Sequence, residues 1–268
     1  MTHNKPIFGS FDFISKRISR GIYECFQFVF PDVCIFCGRV LTPEKDCAAL
    51  FFSREMHMCR KCLAKLPLCP PPDTVAACLS NAQASDPIPD FSVVVPFQYE
   101  QPIAAAIRML KFHNADYAAN TIACFMASAV SLQSLSFDAV IPIPLSAKRL
   151  RQRGYNQALR LAEPIANTLC IPCLSTFLER RFHTAQQSRF TDPIQRKANV
   201  SGAFRVQPDA DVTGLSILLV DDVMTTGATF HEAATALYRD GAAFVMGVAA
   251  ASGRFAKNEA TIKRFAKT

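Results

Sequence analysis

One stretch of thirteen residues does most to limit how this 268-residue chain can fold. Residues 217–229 read ILLVDDVMTTGAT, so four branched apolar residues run directly into Asp221 and Asp222. An uninterrupted apolar run predicts a strand buried on both faces, as in the parallel sheet of an α/β protein. Two adjacent carboxylates at the end of such a strand repel each other. They therefore indicate a site for a polar or cationic group at that end of the sheet.

The chain from residue 91 to residue 252 is predicted to form one domain. The predicted strands are 91–99, 138–144, 173–179, 216–220 and 242–251, and the predicted helices are 101–112, 117–130, 156–169 and 229–241. Strands that alternate with helices predict an α/β fold with a mostly parallel sheet covered on both faces. Pro164 falls inside one of the helices, where it predicts a kink.

Two cysteine pairs that precede this domain predict a metal site. Cys34 and Cys37, then Cys59 and Cys62, form two CxxC turns separated by 21 residues. Each turn places two thiolates at neighbouring corners of a tetrahedron, and two turns complete a closed zinc site. A redox-active or simply packed CxxC is the alternative, but two copies favour structural zinc in a small zinc-ribbon module over residues 31–78. Candidates for substitute ligands, or for the ligands of a second site, are Cys47, His57 and Cys69.

The flanking segments and the composition suggest where the protein works. Residues 1–30 carry apolar residues at helical spacing, residues 79–90 have the composition of a linker, and residues 253–268 form a basic tail. An amphipathic helix in residues 1–30 docks on the protein or lies on a membrane surface. The sequence contains neither a transmembrane run nor the apolar core of a signal peptide, which predicts a cytoplasmic protein. The 11 cysteines are then metal ligands or buried thiols rather than disulfides.

The turn after the aspartates has the features of a phosphate site. It contains Thr225, Thr226, Gly227, Ala228 and Thr229. At a helix N-terminus, such a turn offers backbone N–H groups, hydroxyls and the positive end of the helix dipole. The neighbouring carboxylates can accept hydrogen bonds from hydroxyls or hold waters on a divalent ion. A phosphate beside a vicinal diol is a ribose 5-phosphate.

A basic segment follows the predicted strand 138–144. Residues 146–160 contain five basic residues and no acidic residue. Because the segment follows a strand of the same sheet, this predicted loop lies at the same edge as the aspartates, where Arg149 and Arg153 can bind pyrophosphate. A solvated basic face is the alternative. Residues 180–202 are long, polar and basic, as a lid over the ligand would be, with Arg189 and Arg196 as candidate contacts.

These motifs resemble those of known proteins. ILLVDDVMTTGAT is similar to the phosphoribosyl-pyrophosphate signature of type I phosphoribosyltransferases, with four apolar residues, two acidic, two apolar and then TTGxT. From FPDVCIFCG through RGYNQALRLA to that signature, the chain resembles the ComF family (ComFC and GntX proteins), which joins a zinc module to such a domain. The resemblance implies that Asp221 and Asp222 are catalytic and bind the ribose hydroxyls. It also implies that residues 225–229 bind the 5-phosphate, with Mg²⁺ accompanying the ligand.

Two functions from different classes stay open at this point. One is a phosphoribosyltransferase that uses phosphoribosyl pyrophosphate and an unidentified acceptor. The other is a non-enzymatic competence factor that binds single-stranded DNA through its basic residues during DNA uptake. The net charge of +7 suits either function, or solubility alone. The paired aspartates favour the enzyme, because DNA binding has no use for adjacent carboxylates.

Overall fold

The computed structural model describes residues 32–42, 56–69, 89, 91–112, 116–181 and 202–253. The predicted N-terminal helix, nearly all of the linker, most of the predicted lid and the tail from residue 254 lie outside these ranges. In chain order the elements are α1 (Arg60–Leu63), β1 (Val93–Val94), β2 (Phe97–Gln98), α2 (Ile103–Phe112), α3 (Asp116–Ser131), β3 (Ala139–Pro142), α4 (Ala147–Arg153), α5 (Gln157–Leu169), β4 (Leu178–Arg180), β5 (Phe204–Val206), β6 (Ser216–Met224), α6 (Ala228–Arg239) and β7 (Phe244–Ser252). None of the described helices is long and apolar enough to cross a membrane.

The central sheet is parallel, with the strand order β1, β7, β6, β3. Strand β2 also pairs with β7, further along it than β1 does. Leu218 of β6 lies between Val140 of β3 and Met246 of β7. Parallel strands bring all their carboxyl ends to one edge, which is where α/β proteins bind ligands. The strand predicted over residues 91–99 is split in two at Val95 and Pro96, since proline has no N–H to donate to β7.

Helices and a hairpin bury both faces of the sheet. On one side α2, α3 and α5 pack against Leu218 and Val220 of β6. On the other side α6 and the β4–β5 hairpin pack against Ile217 and Leu219. Alternate residues of a strand face opposite sides, so the apolar run of β6 is fully buried, as predicted. The predicted fold class, an α/β domain with a mostly parallel sheet and a small four-cysteine module, is confirmed.

Two elements differ from the sequence prediction. The strand predicted over residues 173–179 is confined to β4, which pairs antiparallel with β5 and not with the central sheet. Cys173 makes only a single bridge to Val140 of β3. The predicted helix 156–169 is present as α5, which continues through Pro164 to Leu169.

The cysteine module, described over residues 32–42 and 56–69, covers the outer edge of the sheet at β2. Leu68 forms an antiparallel bridge with Phe97 of β2, and the Gln98 N–H donates to the carbonyl oxygen of Pro67 at 2.8 Å. The Cys69 N–H donates to the carbonyl oxygen of Pro96 at 2.9 Å. An uncovered edge strand exposes unpaired backbone groups to other chains. The module therefore completes the sheet as well as carrying its cysteines.

Candidate functional site

The two aspartates lie within β6 rather than after it. Hydrogen bonding to β7 continues past the apolar run, so Asp221 pairs in register with Ala249 and the strand ends at Met224. The N–H of Asp222 donates to Oδ1 of Asp221 at 2.8 Å. Both aspartates are half-buried. The extended backbone of the strand therefore holds the acidic pair at the carboxyl edge of the sheet.

The turn between β6 and α6 has the geometry of a helix start. Gly227 is buried and adopts a left-handed conformation, with φ of 85°, directly before the first residue of α6. Residues with a Cβ rarely adopt that conformation, which explains the glycine. The side-chain oxygen of Thr226 accepts the N–H of Ala228 at 3.3 Å. Thr225 and Thr226 are exposed, and Thr229 is half-buried.

The basic segment after β3 is a short helix, not the loop expected from the sequence. Ser146 caps α4 by accepting the N–H of Arg149 at 3.4 Å, and Gly154 ends it with a φ of 79°. A serine at the start and a glycine just past the end are recognised helix signals. The sequence interpretation gave more weight to the density of positive charge and therefore predicted a loop. Since α4 directly follows β3, it still lies at the edge that carries the aspartates.

The start of α5 is tied to the end of β3. The Asn156 side chain caps the helix by accepting the N–H of Ala158 at 3.1 Å, and its Nδ2 donates to the carbonyl oxygen of Ile143 at 3.1 Å. Gln157 is only 2% exposed, and its Oε1 accepts a hydrogen bond from Arg153 Nη1 at 2.9 Å. No described residue accepts a hydrogen bond from Gln157 Nε2. Leaving a buried donor unpaired costs about 1 to 3 kcal/mol.

Arg160, the last basic residue of the segment, serves packing rather than the cleft. Its guanidinium lies 4.6 Å from the ring centroid of Tyr155 and forms an ion pair with Asp116. The Tyr155 hydroxyl in turn donates to the carbonyl oxygen of Leu110 at 2.6 Å. These contacts hold the segment between α4 and α5 against α2 and α3.

These elements surround a cleft of about 510 Å³ at the carboxyl edge of the sheet. The predicted site residues that line it are Asp221, Asp222, Thr225, Thr229, Arg149 and Arg153. The other three, Thr226, Gly227 and Ala228, shape the turn without lining the cleft. Lining residues that the sequence interpretation did not select include Tyr99, Asn156, Gln157 and Arg180. Residues 182–201 of the predicted lid, which include Arg189 and Arg196, lie outside the described residues.

The cleft combines both signs of charge. Three arginines, Arg149, Arg153 and Arg180, lie on its wall together with the two aspartates of β6. Arg180 is held with its guanidinium 5.2 Å from the ring centroid of Phe204. Guanidinium groups suit phosphate oxygens, whereas carboxylates suit hydroxyls or a hydrated cation. A ligand that carries both phosphates and hydroxyls matches this arrangement.

The four predicted metal ligands are brought together. The Sγ atoms of Cys34, Cys37, Cys59 and Cys62 all lie within 4.8 Å of one another. A zinc tetrahedron with Zn–S bonds of about 2.3 Å has S–S edges of about 3.8 Å. The Sγ atoms of Cys37 and Cys59 are 3.8 Å apart. The donor set and its spacing therefore fit a zinc module.

The first cysteine turn is built for this arrangement. The Gly38 N–H donates to the carbonyl oxygen of Cys34 at 2.8 Å, with Gly38 at a φ of 71°. Burial raises the pKa of Cys34. At Cys59 burial also acts to raise the pKa, but hydrogen bonds led by the backbone of Cys62 outweigh it and lower the pKa to about 6. A lowered pKa favours the thiolate, which is the form that binds metal.

The two substitute ligands that the structure describes, His57 and Cys69, are not part of the four-cysteine cluster. Nδ1 of His57 lies 3.5 Å from Oδ1 of Asp32. Cys69 is outside the four-cysteine cluster, and burial raises the pKa of its thiol to about 12. Cys47 lies outside the described residues.

Solved structures that match the fold include two whose titles name phosphoribosyl compounds or their transfer. One is the glutamine phosphoribosylpyrophosphate amidotransferase from B. subtilis, with 17% identity, 55% of this chain covered, 26% of that chain covered and a TM-score of 0.34. Another is a purine phosphoribosyltransferase from Pyrococcus horikoshii, with 15% identity, 50% of this chain covered, 71% of that chain covered and a TM-score of 0.33.

The sequence relatives are closer. No protein-family model matches the chain. The DNA utilization protein YhgH of Shigella flexneri is 32% identical over 216 residues, which cover 80% of this chain and 87% of that protein. Competence protein F of Haemophilus influenzae is 32% identical over 158 residues, covering 57% and 68%. Competence protein ComFC of Bacillus subtilis is 25% identical over 226 residues, covering 79% and 90%. The chain therefore belongs to the ComF family, to which the competence protein F and YhgH proteins also belong.

Proposed function

We propose that the cleft binds phosphoribosyl pyrophosphate together with Mg²⁺. The observation that carries the proposal is that the acidic pair of β6 and the N-terminus of α6 are separated by one short turn and border the same cleft as the arginines of α4. In this proposal the 5-phosphate binds the turn of residues 225–229, and the ribose hydroxyls donate to Asp221 and Asp222. The pyrophosphate binds Arg149 and Arg153.

The α6 N-terminus supports the phosphate assignment. Gly227 precedes a helix of 12 residues, whose first N–H groups have no acceptor within the helix. Those N–H groups and the helix dipole together favour an anion. Thr225 and Thr229 line the cleft, and their hydroxyls are further hydrogen-bond donors.

The donor chemistry of the acidic pair fits a magnesium complex of the ligand. Mg²⁺ prefers oxygen ligands, keeps several waters and binds proteins through one or two carboxylates plus substrate phosphates. Asp221 and Asp222 would hold it, directly or through its waters. When bound, the ion neutralises negative charge on the pyrophosphate and between the two carboxylates.

A phosphoribosyltransferase is the activity that this placement favours. The transfer breaks the bond between C1 of the ribose and a pyrophosphate oxygen, and it forms a bond from C1 to a nucleophile of the acceptor. The carboxylates of Asp221 and Asp222 hold the ribose and stabilise the positive charge that develops on it. Arg149 and Arg153 stabilise the negative charge on the leaving pyrophosphate.

Calorimetric titration of the full chain with phosphoribosyl pyrophosphate tests the proposal. Binding should be detected with Mg²⁺ present and should weaken strongly when EDTA removes the ion. Absence of binding in both conditions would contradict the proposal. Strong binding that does not change with EDTA would contradict the role of Mg²⁺ alone.

A second candidate is a competence or DNA-uptake factor that binds single-stranded DNA and is not an enzyme. The names of its relatives refer to competence and DNA utilization. Lys148 and Arg151 of α4 are exposed and do not line the cleft, so they are accessible to a long polyanion. Such residues bind the phosphate backbone without reading bases. Both candidates place the protein in the cytoplasm, and in both the four cysteines hold structural zinc.

A further inference from the structure

Gln157 lines the cleft, but the proposed function gives its side-chain amide no role. It is the first residue of α5, it is 2% exposed, and it lines the cleft. One end of its amide is satisfied, because Oε1 accepts from Arg153 Nη1 at 2.9 Å. The other end, Nε2, has no acceptor within the described part of the chain. Buried polar atoms of native proteins almost always have a hydrogen-bond partner, so this one calls for an explanation.

The contact with Arg153 determines which end of the amide is free. A guanidinium group only donates hydrogen bonds, so the atom that faces it is the amide oxygen. The remaining end is therefore an NH₂ group, which needs an acceptor. Gln157 also lies at the N-terminus of a helix of 13 residues, where the dipole favours negative charge. Arg153, α5 and the amide all favour an anionic oxygen at this place.

We propose that Gln157 is a ligand-binding residue that donates from Nε2 to an oxyanion of the ligand in the cleft. Besides binding the pyrophosphate, Arg153 holds the amide oxygen through Nη1, so that the NH₂ group stays available. The assignment rests on the proposed function and deepens it, since the oxyanion belongs to the pyrophosphate group of phosphoribosyl pyrophosphate. The amide N–H groups require an oxygen acceptor in a defined direction. A flexible positive charge alone does not impose that requirement.

Two substitutions test whether ligand binding depends on the amide of Gln157. Gln157→Leu removes the donor at similar volume, and Gln157→Glu keeps the shape and the contact with Arg153 but replaces the NH₂ group with a charged oxygen. Both should weaken the binding of phosphoribosyl pyrophosphate by about 10- to 100-fold, as expected for a lost hydrogen bond to a charged group. Gln157→Glu also adds a negative charge beside the pyrophosphate, so a loss in this variant counts for the proposal only if the neutral Gln157→Leu loses affinity as well. Wild-type affinity in Gln157→Glu would overturn the proposal.

The matched control lies on the same helix, away from the cleft. The side-chain hydroxyl of Thr168 donates to the carbonyl oxygen of Pro164 at 2.8 Å near the end of α5. Thr168→Ala should keep the wild-type affinity. A loss in the control equal to that in Gln157→Leu would mean that disturbing α5 is enough to weaken binding, and it would overturn the assignment.

A second readout uses the wild-type protein and does not depend on the variants folding. The side-chain amide signals of Gln157 in a ¹⁵N NMR spectrum of the wild-type protein are assigned through the backbone resonances of the same residue. They should shift on titration with phosphoribosyl pyrophosphate and also with inorganic pyrophosphate alone. If pyrophosphate shifts them and phosphoribosyl pyrophosphate does not bind, the proposed function fails while the role of Gln157 stands. If neither ligand shifts them, the role of Gln157 is refuted.

Discussion

The backbone N–H of His57 donates a hydrogen bond of 2.9 Å to the side-chain oxygen of Thr121, which is fully buried on α3. His57 lies two residues before Cys59 of the metal cluster, so this bond joins the cysteine module to the α/β domain. The neighbouring N–H of Ile35 donates to the carbonyl oxygen of His57 at 2.9 Å. Ile35 itself packs in the core that α3 and α5 form. The two parts therefore share one core and one hydrogen-bonded edge.

The Thr121→Val substitution should destabilise the protein as a whole. Valine keeps the shape but removes the acceptor of the His57 N–H, and an unpaired buried group costs about 1 to 3 kcal/mol. Urea unfolding should show this as a lower midpoint in a single transition. Ser128→Ala on the same helix is the control, since the Ser128 hydroxyl donates within the helix to the carbonyl oxygen of Cys124 at 2.8 Å. Equal midpoints for Thr121→Val and wild type would refute this coupling.

Loss of zinc should also affect the α/β domain. Cys59→Ser removes one thiolate of the proposed site, so the purified protein should contain well under one zinc per chain by elemental analysis. Its melting temperature should fall, because the module covers the sheet edge at β2. Cys170→Ser, at an exposed cysteine outside the cluster, should change neither quantity. Wild-type zinc content in Cys59→Ser would show that the site is elsewhere.

Cysteines outside the proposed site should differ in reactivity. Burial raises the pKa of the Cys69 thiol to about 12, so almost none of it is the reactive thiolate at pH 8. The exposed Cys170 should be alkylated first in a short pulse of iodoacetamide, read by peptide mass spectrometry. Raising the pH towards 12 should increase the labelling of Cys69. Labelling of Cys69 as fast as that of Cys170 at pH 8 would contradict the packed position of Cys69.

Binding to single-stranded DNA, if α4 provides it, should depend steeply on salt and little on base sequence. Each phosphate contact removed should lower the slope of log affinity against log salt by about one. Lys148→Ala and Arg151→Ala remove exposed charges of α4 that do not line the cleft. Filter binding at several salt concentrations measures the slopes, with Lys65→Ala in the cysteine module as the control for charge. An unchanged slope in both α4 variants would exclude α4 as the contact surface.

The parts of the fold that were predictable have local causes. The apolar run before Asp221 needs cover on both faces, and only a central strand provides it, so the parallel sheet and the acidic edge could be inferred. The clustering of the four cysteines could also be predicted, because the spacing of the two CxxC pairs restricts where their thiols can lie. Pro96 marks the break between β1 and β2, although the strand was predicted as continuous.

What was missed depends on distant partners or on burial. Strands β4 and β5 pair although residues 182–201, which the structure does not describe, separate them in the sequence. The sequence contains no short turn motif that would predict this pairing. Helix α4 was read as a loop because its charge outweighed the capping signals of Ser146 and Gly154. Gln157 is polar and next to a helix cap, so nothing in the sequence marks it as buried. Only the packing of α5 against β3 reveals it.

The most direct test of the central claim is calorimetric titration of Asp221→Asn/Asp222→Asn with phosphoribosyl pyrophosphate and Mg²⁺. The control is Asp209→Asn/Asp240→Asn, which removes the same charge from two exposed positions outside the cleft. We predict that the control binds as wild type does. The Asp221→Asn/Asp222→Asn variant should lose at least about 100-fold in affinity. The two carboxylates that would accept from the ribose hydroxyls and hold Mg²⁺ become neutral amides in it. Equal affinities in the two double variants would contradict the assignment of this cleft as the binding site.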